Sequence, residues 1–219
     1  MNNRYIQSFS CCFPDPENEK ESLAALIPDI PKRAARRMSS IGKQIHHVLG
    51  GVDLDLNTSL IYGTTFTESK ALESYLDSMP FASPTAFQTS IHPGGIEQAL
   101  IMNKQEVGAL FPLAGEETLF LQMLQTAFTC TTPRVVLTGG EETGSWLREF
   151  KLAYAHSFAF SLCLSNDPTD AIGEIRWRRD FTLENPVVPH MESVVKSMQT
   201  SEQLTIGSPD HGQFEIRWK

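Results

Sequence analysis

Residues 107–141 read VGALFPLAGEETLFLQMLQTAFTCTTPRVVLTGGE, and the rest of the chain is organised around them. Apolar residues at 107–113 and 135–137 predict two buried strands. The segment between them opens with the turn Ala114–Glu117 and continues to Thr129 with apolar residues on most sides of a helix. The stretch therefore predicts a strand, a sharp turn, a buried helix and a second strand.

The turn is where a reactive residue would stand in such a unit, because it lies beside the free N–H groups of the following helix. Here it offers Ala114, Gly115 and Glu116, none of which is an obvious nucleophile. Glu116 has two interpretations. It is either an acidic residue stabilised by the helix dipole, or a carboxylate that orients a thioester carbonyl or promotes decarboxylation.

Strands alternate with helices along the chain, which predicts an α/β fold with a mixed, mostly parallel sheet covered by helices. Pro112 cannot donate to a neighbouring strand, so its strand is expected at a sheet edge or an interface. The helix at 116–129 is apolar on nearly every side, and we expect it and the strand before it to need a partner that covers them. Further strands are predicted near 4–10, 60–63, 157–164, 172–177 and 213–218, further helices at 32–49, 65–79, 93–101, 142–152 and 188–198, and an exposed loop at 15–31.

The composition is that of a folded globular protein, with 41% hydrophobic and 20% charged residues in a chain of 219. The formal net charge of −8 argues against a general nucleic-acid role, because phosphate binding needs a positive surface. Against this acidic background stands a basic cluster, defined as Lys32, Arg33, Arg36 and Arg37. The cluster is either a solvated helix face or a surface that steers an acidic partner.

The four cysteines, Cys11, Cys12, Cys130 and Cys163, have neither the C-x-x-C spacing nor the nearby histidines of a zinc site. We expect buried, reduced thiols and no metal. No run of about 18 apolar residues is present and the N-terminus lacks a signal-peptide pattern, which predicts a cytoplasmic protein without a membrane span.

His92 stands directly before Pro93, Gly94 and Gly95, at the start of a predicted helix. It could act as a general base, as the gate of a tunnel, or as a helix-start side chain that makes a structural hydrogen bond. The glycine pairs of the chain lack the spacing of a P-loop or a dinucleotide-binding turn, so no nucleotide site is predicted.

Three segments, Ser83–Gly95, Ala114–Glu117 and Arg134–Glu141, follow one another in the order found in the N-terminal half of β-ketoacyl synthases. Over residues 4–180 the chain resembles that half of these thiolase-fold enzymes, which extend acyl chains on acyl carrier protein. Residues 181–219 add a helix and a terminal strand, and a single domain, 1–219, is expected. The resemblance implies a thiolase-like half-fold, of the kind found in truncated chain-length-factor-like subunits of aryl polyene and other type II polyketide pathways.

The same resemblance indicates that the nucleophile is missing. The position of the family's active-site cysteine falls on Glu116, or on Gly115 or Ala114 with one or two residues of slippage. No cysteine lies between Cys12 and Cys130, and the family's two catalytic histidines belong to the half that this chain does not match. This implies a subunit without catalytic residues or a cofactor of its own, past which the acyl-phosphopantetheine arm of a carrier protein moves as a ligand.

The resemblance implies two partners, an active β-ketoacyl synthase in a heterodimer and an acyl carrier protein that the basic cluster could contact. In the family, the strand before the nucleophile turn pairs with its counterpart in the other subunit. The residues implied at this interface and at the wall of the acyl tunnel are His92, Pro93, Gly94, Ala109, Leu110, Phe111, Leu113, Phe120, Met123 and Leu124.

Two other functions stay open on the sequence. The first is a stand-alone enzyme, a decarboxylase of malonyl-carrier protein or a thioesterase, that uses Glu116 or His92. The second is a self-associating scaffold module that has kept the fold and lost the pathway.

Overall fold

Eight strands form one sheet in the computed structural model, which describes residues 2–179 and 187–219. The strands are β1 (Asn2–Cys12), β2 (Thr58–Thr64), β3 (Ala109–Ala114), β4 (Arg134–Glu141), β5 (Phe158–Ser165), β6 (Gly173–Arg178), β7 (Leu204–Ser208) and β8 (Gly212–Trp218). The helices are α1 (Glu19–Ala25), α2 (Lys32–Ala35), α3 (Ser40–Leu49), α4 (Ser69–Asp77), α5 (Pro84–Ser90), α6 (Gly94–Asn103), α7 (Leu119–Thr129), α8 (Ser145–Glu149) and α9 (Met191–Gln199). None of these helices is long and apolar enough to cross a membrane.

The strand order is β3-β2-β4-β5-β1-β6-β8-β7, which confirms the α/β class and the mixed sheet. The prediction of a mostly parallel sheet is wrong. β2 runs parallel to β3 and to β4, whereas the other neighbouring strands are antiparallel. Parallel pairs need long crossovers, and only the helical connections between β2, β3 and β4 supply them within this sheet.

Helices cover both faces of the sheet. On one face, α7 and α9 pack on alternate residues of the central strands, among them Val135 and Leu137 of β4. On the other face, α3 and α6 pack on the intervening residues, among them Val136 of β4 and Tyr62 of β2. Because successive side chains of a strand point to opposite faces, a continuous apolar strand such as β4 must be covered on both.

Several local predictions are wrong. The helix predicted at 32–49 is broken, because α2 ends at Ala35 and Ser39 caps a new helix with a hydroxyl that accepts from the Gly42 amide at 3.0 Å. The loop predicted at 15–31 contains α1, which buries Leu23. β7 was not predicted, and the terminal helix begins at Met191, with residues 180–186 outside the described residues.

The helix α4 does not bury the side that carries its apolar residues. Leu72 and Leu76 are about two-fifths exposed, whereas Glu73 is buried. The Glu73 carboxylate accepts from the backbone amides of Ser145 and Trp146, at 3.1 and 2.7 Å, and so caps α8. The helix N-terminus of α8 therefore decides which side of α4 faces inward.

Two further buried carboxylates cap helices in the same way. Glu142 follows β4 and accepts from the amide of Ile41 in α3, at 3.1 Å, and from that of Lys70 in α4, at 2.7 Å. Glu68 accepts from the amide of Gly95 in α6 at 2.8 Å. Each carboxylate is at most 1% exposed, and its hydrogen bonds offset only part of the cost of burial.

The close contact between β2 and β4 leaves no room for a side chain at Gly139. A Cβ atom there would overlap the backbone carbonyl of Gly63, which cannot move without breaking the sheet. We expect Gly139→Ala to lower the free energy of unfolding by about 1–3 kcal/mol or more, because the overlap is with backbone. Gly51→Ala is the matched control, since a Cβ there meets nothing within 4 Å, and urea denaturation of both variants measures the difference. Equal stability of the two variants would contradict the packing described here.

The buried carboxylates also predict how stability depends on pH. Burial raises the pKa of Glu142 from 4.5 to about 7 and outweighs its hydrogen bonds from Lys70 and Ile41, and burial likewise raises the pKa of Glu141 to about 7. A carboxyl with a raised folded-state pKa contributes stability below pH 4.5 and loses it as the pH rises through 7. The free energy of unfolding should therefore fall between pH 4.5 and 7, by about 1.4 kcal/mol for each unit of pKa difference in each group.

Glu142→Gln tests this pH dependence, because an amide of the same shape does not ionise. We expect the variant to lose about half of the decrease seen in the unchanged chain, with the other half due to Glu141. Glu149→Gln, at an exposed position of α8, is the control and should keep the full decrease. Chemical denaturation at pH 5, 6 and 7 measures all three proteins, and an unaltered slope in Glu142→Gln would contradict the assignment.

Candidate functional site

The turn between β3 and α7 is formed as the sequence predicts, but the helix begins later. Thr118 is the N-cap and Leu119 the first helical residue, so Glu116 lies outside the first turn of the helix. The Glu116 carbonyl accepts from the Leu119 amide at 3.0 Å, which closes the turn. The prediction that Glu116 sits at the N-terminus of the helix is therefore wrong, and both Glu116 and Glu117 have exposed side chains.

No cysteine stands at this turn. Cys130 caps the opposite end of α7, and the other three lie on β1 and β5. Burial raises the pKa of Cys11 and Cys163, and raises that of Cys12 to about 12. These three thiols are therefore protonated at neutral pH. Cys12 and Cys163 are buried as expected, whereas Cys11 and Cys130 are only partly buried.

A pocket of about 530 Å³ opens at the turn. Its wall combines Glu116 and Glu117 with a loop after α8, the loop after β2 and the start of α9. The sequence pointed to the turn residues Glu116 and Glu117 but not to most of the others, among which only Glu192, an acidic residue in the first turn of a helix, carried a local signal. The lining consists of Thr65, Phe66, Glu116, Glu117, Lys151, Leu152, Ala153, Tyr154, Ala155, His190, Glu192 and Ser193.

Glu141 holds the wall of the pocket from behind. Its carboxylate accepts from the amide of Thr65, from the amide of Phe66 at 3.2 Å and from the hydroxyl of Thr64 at 3.2 Å. The Thr65 hydroxyl in turn lies 3.1 Å from that of Tyr154, whose pKa is raised mainly by burial. The Gly-Gly-acidic end of β4 thus positions the pocket, although its carboxylate does not line it.

Glu192, in the first turn of α9, lines the pocket with a charged side chain. Its carboxylate lies 2.7 Å from His156 Nδ1 and 2.7 Å from Lys196 Nζ, and it accepts from the Ala155 amide at 3.2 Å. Burial alone would raise the pKa of Glu192, but the hydrogen bonds from Lys196 and His156 lower it below its ordinary value. Glu192 therefore stays ionised at neutral pH.

His92 lies in other surroundings, against Tyr62 and Glu68. Its ring stacks on that of Tyr62 with centroids 5.3 Å apart, and its Nδ1 is 3.5 Å from Glu68 Oε2. Neither ring nitrogen has a hydrogen-bond partner among the described residues, so the structural hydrogen bond considered for His92 is not formed. No hydrogen bond or ion pair in the described part of the chain joins His92 to Glu116.

The ten predicted interface residues divide into three groups. His92, Pro93 and Gly94 lie at the start of α6, where Pro93 is the N-cap and Gly94 the first helical residue, which is buried. Ala109, Leu110, Phe111 and Leu113 lie on β3, which is an edge strand as Pro112 indicated, and Phe111 is 38% exposed. Phe120, Met123 and Leu124 are instead buried in this chain's own core against β2 and β4. The expectation that α7 would be uncovered without a partner is wrong, because the chain covers it.

The arrangement provides carboxylates, a lysine, a histidine and a tyrosine around an open pocket, but no described thiol. The described residues contain no group of three potential ligands placed to hold a metal ion. Such a pocket can bind and orient a ligand, and it has no nucleophile that could accept an acyl group at the turn.

Comparison with solved structures finds similar folds at low sequence identity. A chain from a ketosynthase in complex with its chain length factor, from Xenorhabdus doucetiae, has a TM-score of 0.67 and 16% identity, over 99% of this chain and 100% of that one. The ishigamide ketosynthase/chain length factor has a TM-score of 0.60 and 10% identity, over 80% and 68% of the two chains. A β-ketoacyl synthase from Burkholderia phymatum has a TM-score of 0.56 and 11% identity, over 91% and 69%.

No protein-family model and no curated protein sequence matches the chain. The likeness therefore rests on the path of the backbone, which agrees with these structures over most of the chain. The described residues have a thiolase-like fold of the ketosynthase and chain-length-factor type.

Proposed function

We propose that the chain is a non-catalytic, chain-length-factor-like subunit that pairs with an active β-ketoacyl synthase in the cytoplasm. In this role it shapes the tunnel in which the partner's acyl chain grows, in a polyketide or fatty-acid type of synthesis such as that of aryl polyenes. An acyl carrier protein delivers the chain on its phosphopantetheine arm.

The observation that carries this proposal is a free edge strand that leads into a turn without a nucleophile. Among the described strands β3 has a neighbour on one side only, so its other side presents backbone groups that another strand can pair with. The turn that follows offers Ala114, Gly115 and Glu116 where an acyl-accepting thiol would stand. A chain that has kept the pairing edge and lacks the thiol at that turn is suited to assist an active partner.

The similar structures support the same role. The chain from Xenorhabdus doucetiae that matches this one over its whole length belongs to a complex of a ketosynthase with its chain length factor. The apolar side chain of Phe111 on β3 would be buried in an equivalent pair. Phe120, Met123 and Leu124 would act from within the core, by holding α7 behind the edge strand.

The other two functions are less well supported. A stand-alone decarboxylase or thioesterase would use Glu116 or His92, and these residues lie in different surroundings, so neither could assist the other. A self-associating scaffold would also use the β3 edge. It differs from the proposed function in its partner, which would be a second copy of this chain and not a ketosynthase.

The substitution Phe111→Asp tests the proposed interface, because it places a charge on the edge strand. After co-expression with a ketosynthase encoded beside it, we expect the unchanged chain to form a 1:1 complex, and the variant to form it at least about tenfold more weakly. Native mass spectrometry measures the amounts of complex and free chain.

Ile172→Asp is the matched control, since Ile172 is 42% exposed and lies before β6, several strands away from β3. The control should pair as the unchanged chain does. A chain that stays monomeric and does not bind the ketosynthase would contradict the proposal. A homodimer that forms in the unchanged chain and is lost in Phe111→Asp would favour the scaffold instead.

A further inference from the structure

A cleft of about 390 Å³ lies between the basic cluster and α6. Its volume is in the range of pockets that hold small organic molecules, about 300–1,000 Å³. None of the residues that line it belongs to β3, to the turn after β3 or to the pocket at that turn. The cleft therefore has the size of a ligand site and is separate from the candidate functional site.

The walls of the cleft are apolar, formed by Ala34, Met38, Ile101 and Met102 among others. Met38 is 7% exposed, whereas Ile101 is 68% exposed, so the apolar surface continues from the interior of the chain to solvent. A bound alkyl chain would remove this surface from water, and each methylene group that it buries contributes to binding. The walls therefore favour a ligand with an alkyl chain.

The polar side chains of the cleft offer hydrogen-bond donors. Arg33 and Arg37 line it with guanidinium groups, which have no acceptor atom. Gln98 also lines it, and its Oε1 accepts from the Ser39 amide at 2.8 Å, so its NH₂ group is the part that is left to bind a ligand. Although the chain has 26 aspartate and glutamate residues, none of those described lines the cleft. This set of donors selects an anionic head group.

The two arginines of the cleft lie on one side of a helical turn. They are four residues apart, and the turn continues beyond α2, because the amide of Arg36 donates to the Lys32 carbonyl at 3.2 Å and that of Arg37 to the Ala34 carbonyl at 2.9 Å. All four side chains of the basic cluster are exposed, and no ion pair between described residues includes Arg33 or Arg37. Both guanidinium groups can therefore form charge-assisted hydrogen bonds with one carboxylate.

We infer that this cleft binds a free medium-chain fatty acid, with the carboxylate on Arg33 and Arg37 and the alkyl chain against Met38 and Ile101. A small inorganic anion would leave the apolar walls in contact with water, and the two guanidinium groups would repel an alkylamine. An anionic membrane lipid has the same chemistry, and the experiment below separates the two sources. The inference goes beyond the proposed function and does not depend on it, because the cleft shares no lining residue with β3 or its turn.

The experiment measures binding of decanoate to the full chain by isothermal titration calorimetry, with three related probes. Hexanoate should bind at least about tenfold more weakly than decanoate, because it buries four fewer methylene groups. Decanol should also bind at least about tenfold more weakly, because it lacks the charge, and decylamine should not bind. Absence of decanoate binding, or equal binding of decanoate and decylamine, would overturn the inference.

The double substitution Arg33→Ala/Arg37→Ala tests the head-group contact. We expect it to weaken decanoate binding by at least about tenfold, because it removes both guanidinium groups. The control Lys20→Ala/Lys219→Ala makes the same change in net charge at exposed positions that do not line the cleft, and should bind within about twofold of the unchanged chain. Equal affinity in the two double variants would overturn the inference.

A second pair of variants tests the apolar wall. Ile101→Gln should weaken decanoate binding by about fivefold or more, because the ligand then buries less apolar area. Leu56→Gln is the control, since Leu56 is 67% exposed and does not line the cleft, and it should bind decanoate as the unchanged chain does. An Ile101→Gln chain that binds decanoate as tightly as the control would contradict the placement of the alkyl chain.

Sedimentation with lipid vesicles distinguishes a free fatty acid from a membrane lipid. We expect the chain to sediment no more with phosphatidylglycerol vesicles than with phosphatidylcholine vesicles, because the cleft accepts a ligand from solution. Sedimentation with phosphatidylglycerol alone, lost in Arg33→Ala/Arg37→Ala and accompanied by no binding of decanoate, would overturn the inference in favour of a membrane surface. Pairing with a ketosynthase is measured separately, so either idea can fail while the other stands.

Discussion

Buried carboxylates at the ends of β2 and β4 are the constraint on which this structure depends. An isolated buried carboxylate is costly, by several kcal/mol, unless donors satisfy its oxygens. Here the donors are backbone amides at helix starts or turns, which would themselves be unsatisfied. Glu68, Glu73 and Glu142 thereby fix α3, α4, α6 and α8 to one another, and Glu141 fixes the turn at Thr65. The arrangement ties the walls of the pocket, and the helix α6 that lines the cleft, to the same sheet.

The apolar surface of helix α7 is buried within this chain. Apolar residues on most of its surface suggest a helix that needs a partner. In the structure, strands β2 and β4 of the sheet cover it, and Phe120 is only 2% exposed. What remains open is the edge of β3, where backbone groups and Phe111 face outward. The proposed pairing would therefore use a strand edge and not a helix face.

The vacant turn and the cleft occupy different parts of the chain and are suited to different tasks. The turn has kept a pocket but no thiol, so its geometry serves shape and binding. The cleft places exposed cations beside apolar side chains, a combination that suits an amphipathic anion.

Local patterns alone determined where most strands lie, that a buried helix follows the turn and ends at Thr129, that Pro112 marks an edge strand, and that the turn has no nucleophile. Each follows from side-chain period, backbone chemistry or residue identity within a few positions. Only the tertiary structure decided the direction of strand pairing, the inward position of Glu73, and the meeting of Tyr154, His190 and Glu192 with Glu116 at one pocket. The reason is that these depend on partners far away in the chain, as with Glu142 and Ile41, which are 101 residues apart. Such partners are selected by packing, and no local pattern records them.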